Sequence, residues 1–433
     1  MQQRAAPSGW FSLTHRVRWR IYAFLFTFGA IAYFQQKGLT VAAERIMPDL
    51  HLSQAQIGWL EWAFVLGYAS FQFPGGLLGQ RLGARVTLTL IGAVAFLATV
   101  FTPLAPVVAQ GTALFIALFS LQLIMGLAQG PLFPVCSGVM ETWFPPRNWS
   151  FVQGLQSAGL AWAAAATAPL VVYLMGTIGW QQALFWPALP AAGVIVWWAW
   201  YGRNRPKEHP KVTAAELAEL GETVAEQPAT GISGAHIKRL LTNRSMLLLS
   251  LAYVCMNYAY YLFANWSFLY LVQERHFNVL EGGWLAALPP LAAGVGAGVG
   301  GSLVALACRR WGDRWGFRLV PMLALPTSGL LLIAAVNLSS GYAAVGAMAL
   351  AFAVLELTEG AFWGAIMFIG RSNTMAAGGV LNTGGNIGGL IGIPIVAQLS
   401  GSGHWTAAFA IGTGFALLGA LLWFGIDVEQ RID

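Results

Sequence analysis

The sequence predicts an all-α membrane protein: twelve transmembrane helices in two six-helix bundles, with both termini in the cytoplasm. Three observations lead there. First, 57% of the 433 residues are hydrophobic and only 9% are charged, whereas a soluble domain carries about 25% charged residues. Second, Gly79-Gln-Arg-Leu-Gly-Ala-Arg85 returns as Gly312-Asp-Arg-Trp-Gly-Phe-Arg318, each after a long apolar stretch. Both strings fit Gly-x-Arg-x-Gly-x-Arg and suggest a duplicated membrane unit, as in carriers whose halves rock about a central site. Third, with the termini placed inside, the 23 Lys and Arg fall on inner segments, save Lys37, Arg45 and Arg275. That bias is what the positive-inside rule demands. The net charge of +6 is therefore an orientation signal, and nucleic acid is not an expected partner.

Apolar segments of roughly 20 residues or more, the length needed to span a bilayer, are read at 21–43, 57–78, 87–108, 112–138, 150–176, 182–201, 246–272, 282–307, 319–337, 341–369, 375–400 and 405–426. Arg4, Arg16, Arg18 and Arg20 precede the first. The run after Arg20 is too long for a signal-peptide core, so it reads as a retained span. The second, fifth, eighth and eleventh spans are dense in small residues: Pro74-Gly-Gly76, Ala161 to Ala168, Gly294 to Gly301, and Gly378 to Gly389. Such residues let helix backbones approach closely in lipid. The inner loop 202–245 separates an N-terminal bundle, 1–201, from a C-terminal bundle, 246–433. Within the loop, Thr213-Ala-Ala-Glu216 reads as a capping box opening a short helix to about Glu226, with Gly231 to Gly234 ending it. Its glutamates read as a solvated face, a partner contact being the lesser alternative. Cys136, Cys255 and Cys308 lie in or at the end of spans and suggest neither disulfide nor metal site. No cofactor is expected, and the chain is expected to act as a monomer.

A charge at mid-bilayer costs about 2.5–3.5 kcal/mol even on the lenient insertion scale. Lys37, Glu61, Glu356 and Glu359 are therefore functional candidates. Lys37 either anchors an anion in the cavity or snorkels to the outer surface. Glu61 is an interfacial carboxylate or a partner for Lys37. Glu356 and Glu359 are three residues apart and share a helix face. Two carboxylates so close in low dielectric do not both ionise easily, which suits proton coupling; hydrogen bonds between spans and cation binding are the alternatives. Gln35, Gln36, Gln122 and Gln129 are costly against lipid. They suit a hydroxyl-rich solute or act as interhelical glue. Tyr33, Tyr68, Tyr261, Asn265, Trp266, Trp363 and Asn382 complete the candidate cavity wall.

These residues resemble the major facilitator superfamily, and more narrowly its anion:cation symporter branch of sialin-like and bacterial sugar-acid carriers. The similar stretches are Tyr33 with Leu39-Thr-Val-Ala42, Gly67-Tyr68-Ala-Ser-Phe-Gln72-Phe-Pro74-Gly-Gly76, Phe133-Pro134 with Trp143-Phe-Pro-Pro146, Arg205-Pro-Lys-Glu-His-Pro210 with Glu216, Asn265-Trp266-Ser-Phe-Leu-Tyr270, and Gly379-Val-Leu-Asn382-Thr-Gly-Gly-Asn386. The departures are specific. Gln35-Gln36 stand where the family has Asp-Arg, Gln122 and Gln129 where it has Arg and Glu, and Gln80 where it has Asp. The family's proton and carboxylate roles at those positions do not transfer to glutamines.

The resemblance implies a secondary carrier in the bacterial inner membrane. It would move a small organic anion, a sugar acid or other carboxylate, by alternating access, with proton coupling through Glu356 and Glu359 left open. A facilitator or exchanger of a neutral or zwitterionic solute, and a non-transporting sensor on the same chassis, are the alternatives. Gln80, Arg81 and Arg85 form the expected cytoplasmic gate, with Glu141 as partner of the arginines. No nucleophile constellation or Gly-x-x-x-x-Gly-Lys loop points to an enzyme or an ATP-driven pump.

Overall fold

The computed structural model describes residues 16–220 and 234–432, which are helices joined by short turns, with no strand among them. Arg4, the end of the loop helix near Glu226, and Gly231 lie outside the described residues. The leading helices are α1 (Val17–Leu50), α2 (Gln54–Leu82), α3 (Ala84–Val108), α4 (Gly111–Gln129), α5 (Leu132–Trp143), α6 (Trp149–Ile178), α7 (Trp180–Phe185) and α8 (Ala188–Tyr201). Two short helices follow, α9 (Ala214–Leu220) and α10 (Gly234–Thr242). The trailing helices are α11 (Arg244–Gln273), α12 (Val279–Ala286), α13 (Leu288–Asn337), α14 (Gly341–Glu356), α15 (Glu359–Gly370), α16 (Thr374–Gly401) and α17 (Trp405–Trp423). Several starts are fixed by side chains that accept from the first free backbone N–H groups. Ser53 and Gln56 form a full capping box at α2, and Asn243 and Asn278 cap α11 and α12.

By length and apolar composition, 8 helical stretches among the described residues can cross a membrane. Two of these contain a sharp backbone break. Gly312 interrupts α13 with φ 78° and ψ 164°, and Arg371, between α15 and α16, has φ 45°. The segments read as the fourth, sixth, eighth and tenth spans are not continuous. They break at Gly130–Pro131, Trp186–Pro187, Ala287 and Leu357–Thr358. Proline accounts for the first two, because its ring clashes with the preceding turn. The last has no proline; there the Thr358 hydroxyl donates to the Leu355 carbonyl at 2.7 Å, within the break.

Helices α1–α8 pack on one another, as do α11–α17, and the two groups meet mainly where α2 lies on α16 and α6 on α13 and α15. The meeting surfaces match. A methyl group on Gly154 of α6 would stand 2.5 Å from the Ala297 carbonyl oxygen, and one on Gly379 of α16 would stand 2.8 Å from that of Gln72. Likewise Gly76 lies on Met375 and Gly301 on Ser150, while Gly75 meets Pro131 at one helix break and Gly300 meets Leu357 at another. These pairings make Gly300-Gly301 the counterpart of Gly75-Gly76 and shift the repeat's register. Gly83, at φ 80° and ψ 157°, has the conformation of Gly312 rather than of Gly316, so the two strings are not aligned residue for residue. If the glycine pairs are matched, the second string runs one helical turn further before it bends at Gly312.

Among the described residues of the loop helix, Glu216 and Glu219 do not form a solvated face. Glu216 is buried and accepts from Arg18 Nε at 3.1 Å and from the Arg18 backbone N–H at 3.0 Å. Glu219 also accepts from Arg18, at 3.0 Å. Thr213 caps the helix as expected, accepting from Glu216 N at 3.2 Å. The Glu216 carboxylate instead covers the unpaired N–H groups at the start of α1, where negative charge is favoured.

Candidate functional site

The contacts gather most basic residues at one end of the molecule. Arg18 meets Glu216, Arg85 meets Ala199 and Asn204, Arg371 packs on Trp149, and Arg318 donates to Ile426. At this basic end the halves are closed. Gly76 lies on Met375, the Gln80 side chain donates to the Ser372 carbonyl, and Arg371 sits over the rings of Trp149 and Phe368 at 5.4 Å from each centroid. The positive φ at Arg371 is strained for a side chain with a Cβ, and it falls in the turn that completes the seal. A pocket of about 650 Å³ beneath the seal is lined by Gln80, Glu141, Arg205 and Arg371.

Arg85, one of the expected latch arginines, is engaged within its own group of helices. Arg85 donates from Nε to the Ala199 carbonyl at 3.0 Å, and its N–H donates to Asn204 at 2.9 Å, both within the leading group. It ties the α2–α3 turn to the end of α8. Arg81 is exposed, and buried Glu141 accepts from the Thr142 hydroxyl at 3.3 Å. Of the expected gate residues, Gln80 makes the contact between halves.

Above the seal lies a layer of polar side chains. Asn382 of α16 donates to Tyr68 of α2 at 3.4 Å, and Tyr261 of α11 donates to Asn386 at 3.3 Å. Tyr33 of α1 lies against Tyr260 of α11. Gln129 donates to Gln35 at 3.1 Å, joining α4 to α1, and Gln35 and Gln122 line a small pocket with Thr99 and Thr102. Glu356 and Glu359 are buried on either side of the Leu357–Thr358 break. Glu359 accepts from Tyr253 at 3.1 Å and from Ser157 of α6 at 3.4 Å, while Trp363 donates to the Tyr253 oxygen at 3.2 Å. One oxygen of Glu356 is buried without a hydrogen bond.

Beyond this layer the same helix faces carry more exposed residues. Residues three or four apart share a helix face, so the faces can be followed outward. One turn past Tyr68, Val65 is 39% exposed; two turns past Asn382, Leu390 is 55% exposed. Asn265, one turn past Tyr261, is exposed, and Lys37, one turn past Tyr33, is half-buried. The structure thus joins Tyr68 to Asn382 and sets Tyr33 against Tyr260, beside the Gln35–Gln129 pair, while Glu359 and Trp363 meet at Tyr253, about 12 Å along α11 from Tyr261. Lys37, Glu61 and Asn265 stand nearer the opening. Gln36 is half-buried, and Trp266 packs edge-on to Trp405 at 6.5 Å. Tyr253, Tyr260, Ser157 and Asn386 were not among the expected site residues.

A multi-pass helical membrane protein whose leading and trailing helices meet in a seal at one end, over a layer of polar side chains, has the build of a transporter. Comparison with known proteins agrees. The sequence profile described as Major Facilitator Superfamily matches residues 25–367. A probable galactarate/D-glucarate transporter of Bacillus subtilis is 29% identical, over 94% of this chain and 92% of that protein. A hexuronate transporter of the same organism is 28% identical, over 92% of each. A probable sulfoacetate transporter of Cupriavidus necator is 26% identical, over 93% and 92%. Among solved structures, a proton:xylose symporter superposes with a TM-score of 0.71 at 13% identity, covering 96% of this chain and 97% of that one. The Escherichia coli fucose:proton symporter gives 0.68 at 15%, covering 94% and 99%. These two speak to the fold alone. The chain belongs to the Major Facilitator Superfamily, and it is a transporter, not an enzyme.

Proposed function

We propose that the protein is a secondary carrier for a small organic anion, a sugar acid or related carboxylate, working by alternating access in a bacterial inner membrane. Splitting the two long stretches at Gly312 and Arg371 and adding α1 and α2 to the apolar spans gives twelve crossings. They form two six-span bundles, 1–201 and 246–433, joined by the loop 202–245, with the basic end cytoplasmic. In this reading the seal at Gly76, Gln80 and Arg371 closes the cytoplasmic end. The names of the relatives support the substrate class.

The coupling chemistry is assigned to Glu356 and Glu359. The observation that carries this is their burial on both sides of a helix break, one hydrogen-bonded across the halves to Ser157 and the other with a bare oxygen. A proton on this pair removes a charge from the bundle core, and the cross-half hydrogen bond is the contact that such a change alters. Lys37 holds the carboxylate of the solute, and Tyr33, Tyr68, Tyr261 and Asn382 hold its hydroxyls. A second reading, a facilitator of neutral solutes, draws on the uncharged Gln35–Gln129 pair.

The test is counterflow in proteoliposomes across galacturonate, gluconate, glucarate, glucose and galactose. Exchange of an acid supports the carrier reading. Exchange confined to the neutral sugars would refute it.

A further inference from the structure

We infer that the cavity is built for an anion carrying a single negative charge and discriminates against solutes carrying two. The inference rests on the organic-anion reading above and narrows it. Lys37 is on the face of α1 that carries Tyr33, one turn nearer the opening, and Tyr33 lies against Tyr260 of the opposite half. The Lys37 ammonium therefore stands at the gap between the halves. Among the described residues it has no ion-pair partner within contact distance.

Among the described residues it is also the one fixed cation at this level. Arg45 lies two turns further along α1 and is exposed. Arg275 is engaged elsewhere: its Nε donates to the Tyr270 hydroxyl at 2.8 Å, and its other nitrogens donate to the carbonyls of Ala335, Val336 and Leu338 at the end of α13. Every other Lys or Arg among the described residues belongs to the sealed end or its loops.

The rest of the fixed charge near the gap is acidic. Glu61 of α2 is the carboxylate that acts on Lys37, and Glu356 and Glu359 lie deeper. A monocarboxylate can set its one charge on Lys37 and its hydroxyls on Tyr33, Tyr68, Tyr261 and Asn382. A dicarboxylate would set its second charge among Glu61, Glu356 and Glu359 with no cation to meet it. An unpaired charge in a low-dielectric site is strongly disfavoured. Two of the relatives carry names of singly and doubly charged acids respectively, hexuronate and galactarate/D-glucarate, so the choice is not given by similarity.

The test is binding of D-galacturonate, D-gluconate and D-glucarate to the full chain in nanodiscs near neutral pH, where all carboxylates are ionised. The expected result is glucarate weaker than the better monoacid by about tenfold or more. Lys37→Gln should remove most of the monoacid affinity, and Glu61→Gln should narrow the gap between the acids, in protein whose melting shows it folded. Glucarate binding as tightly as either monoacid overturns the inference while leaving the organic-anion reading intact. Failure of all three acids to bind folded wild-type protein overturns both.

Discussion

The Ser157 hydroxyl of α6 donates to the Glu359 carboxylate of α15 at 3.4 Å, so a residue of the leading half touches the carboxylate pair of the trailing half. Tyr253 donates to the other Glu359 oxygen at the shorter distance of 3.1 Å. A hydrogen bond to a charged group contributes about 1.5–3 kcal/mol. Tyr253→Phe should therefore slow solute exchange by roughly tenfold or more, and Ser157→Ala should slow it less. Both rates are read in proteoliposomes, with melting temperature as the check that the bundle is intact. Equal, negligible effects would mean that Glu359 is not positioned by these donors.

The seal at the basic end makes a steric prediction. A methyl on Gly76 would stand 2.4 Å from the Met375 carbonyl oxygen, and overpacking of this kind costs about 1–3 kcal/mol. Gly76→Val should wedge α2 from α16 and raise the reactivity of a cysteine placed at Ser372 towards a polar thiol reagent. Arg85→Ala breaks contacts inside one half, so it should lower the melting temperature and leave that reactivity unchanged. A rise with Arg85→Ala alone would restore the arginine latch.

Arg18 and Glu216 are both buried and paired. Removing one partner of a buried pair costs about 3–5 kcal/mol, while replacing both with apolar residues is often neutral. Arg18→Met should therefore melt well below wild type in detergent, and Arg18→Met with Glu216→Leu should recover much of the loss. A double variant as unstable as the single one would contradict this account of the linker helix.

His209 lies in the loop after α8, buried against Tyr201 at 4.6 Å between ring centroids and Trp143 at 6.0 Å. Its Nδ1 accepts from Lys211 N at 3.2 Å. Burial, then the charges of Arg203 and Lys211, hold its pKa below the ordinary 6.5. The fold favours the neutral ring, so this contribution is complete above the unfolded value and is lost as pH falls through the lower folded value. Wild type should lose its stability advantage over His209→Gln as the pH drops below the ordinary 6.5. A constant difference across that range would rule the effect out.

The sequence made the spans legible because lipid demands long apolar runs, and it placed Glu356 and Glu359 correctly as a buried pair. It left the break between them hidden, because neither Leu357 nor Thr358 is a helix breaker. Tyr253 and Ser157 were missed because one more tyrosine in an aromatic-rich helix, or one serine among small residues, has the look of packing. Only the partner reveals the role. Glu216 was misread for the opposite reason: a glutamate in a charged loop looks solvated until Arg18, distant in sequence, is seen to fold against it. Arg85 matched a gate motif, yet its acceptor is a backbone carbonyl, which no side-chain pattern announces.

The central claim is that proton movement accompanies solute movement through the Glu356–Glu359 pair. It is tested most directly by recording pH inside proteoliposomes when a counterflow-positive acid is added outside, without any imposed potential. The account predicts internal acidification that depends on the acid in wild type. In Glu359→Gln the acidification should vanish while counterflow of the acid persists. Acid-dependent proton entry that survives in both Glu356→Gln and Glu359→Gln would contradict it.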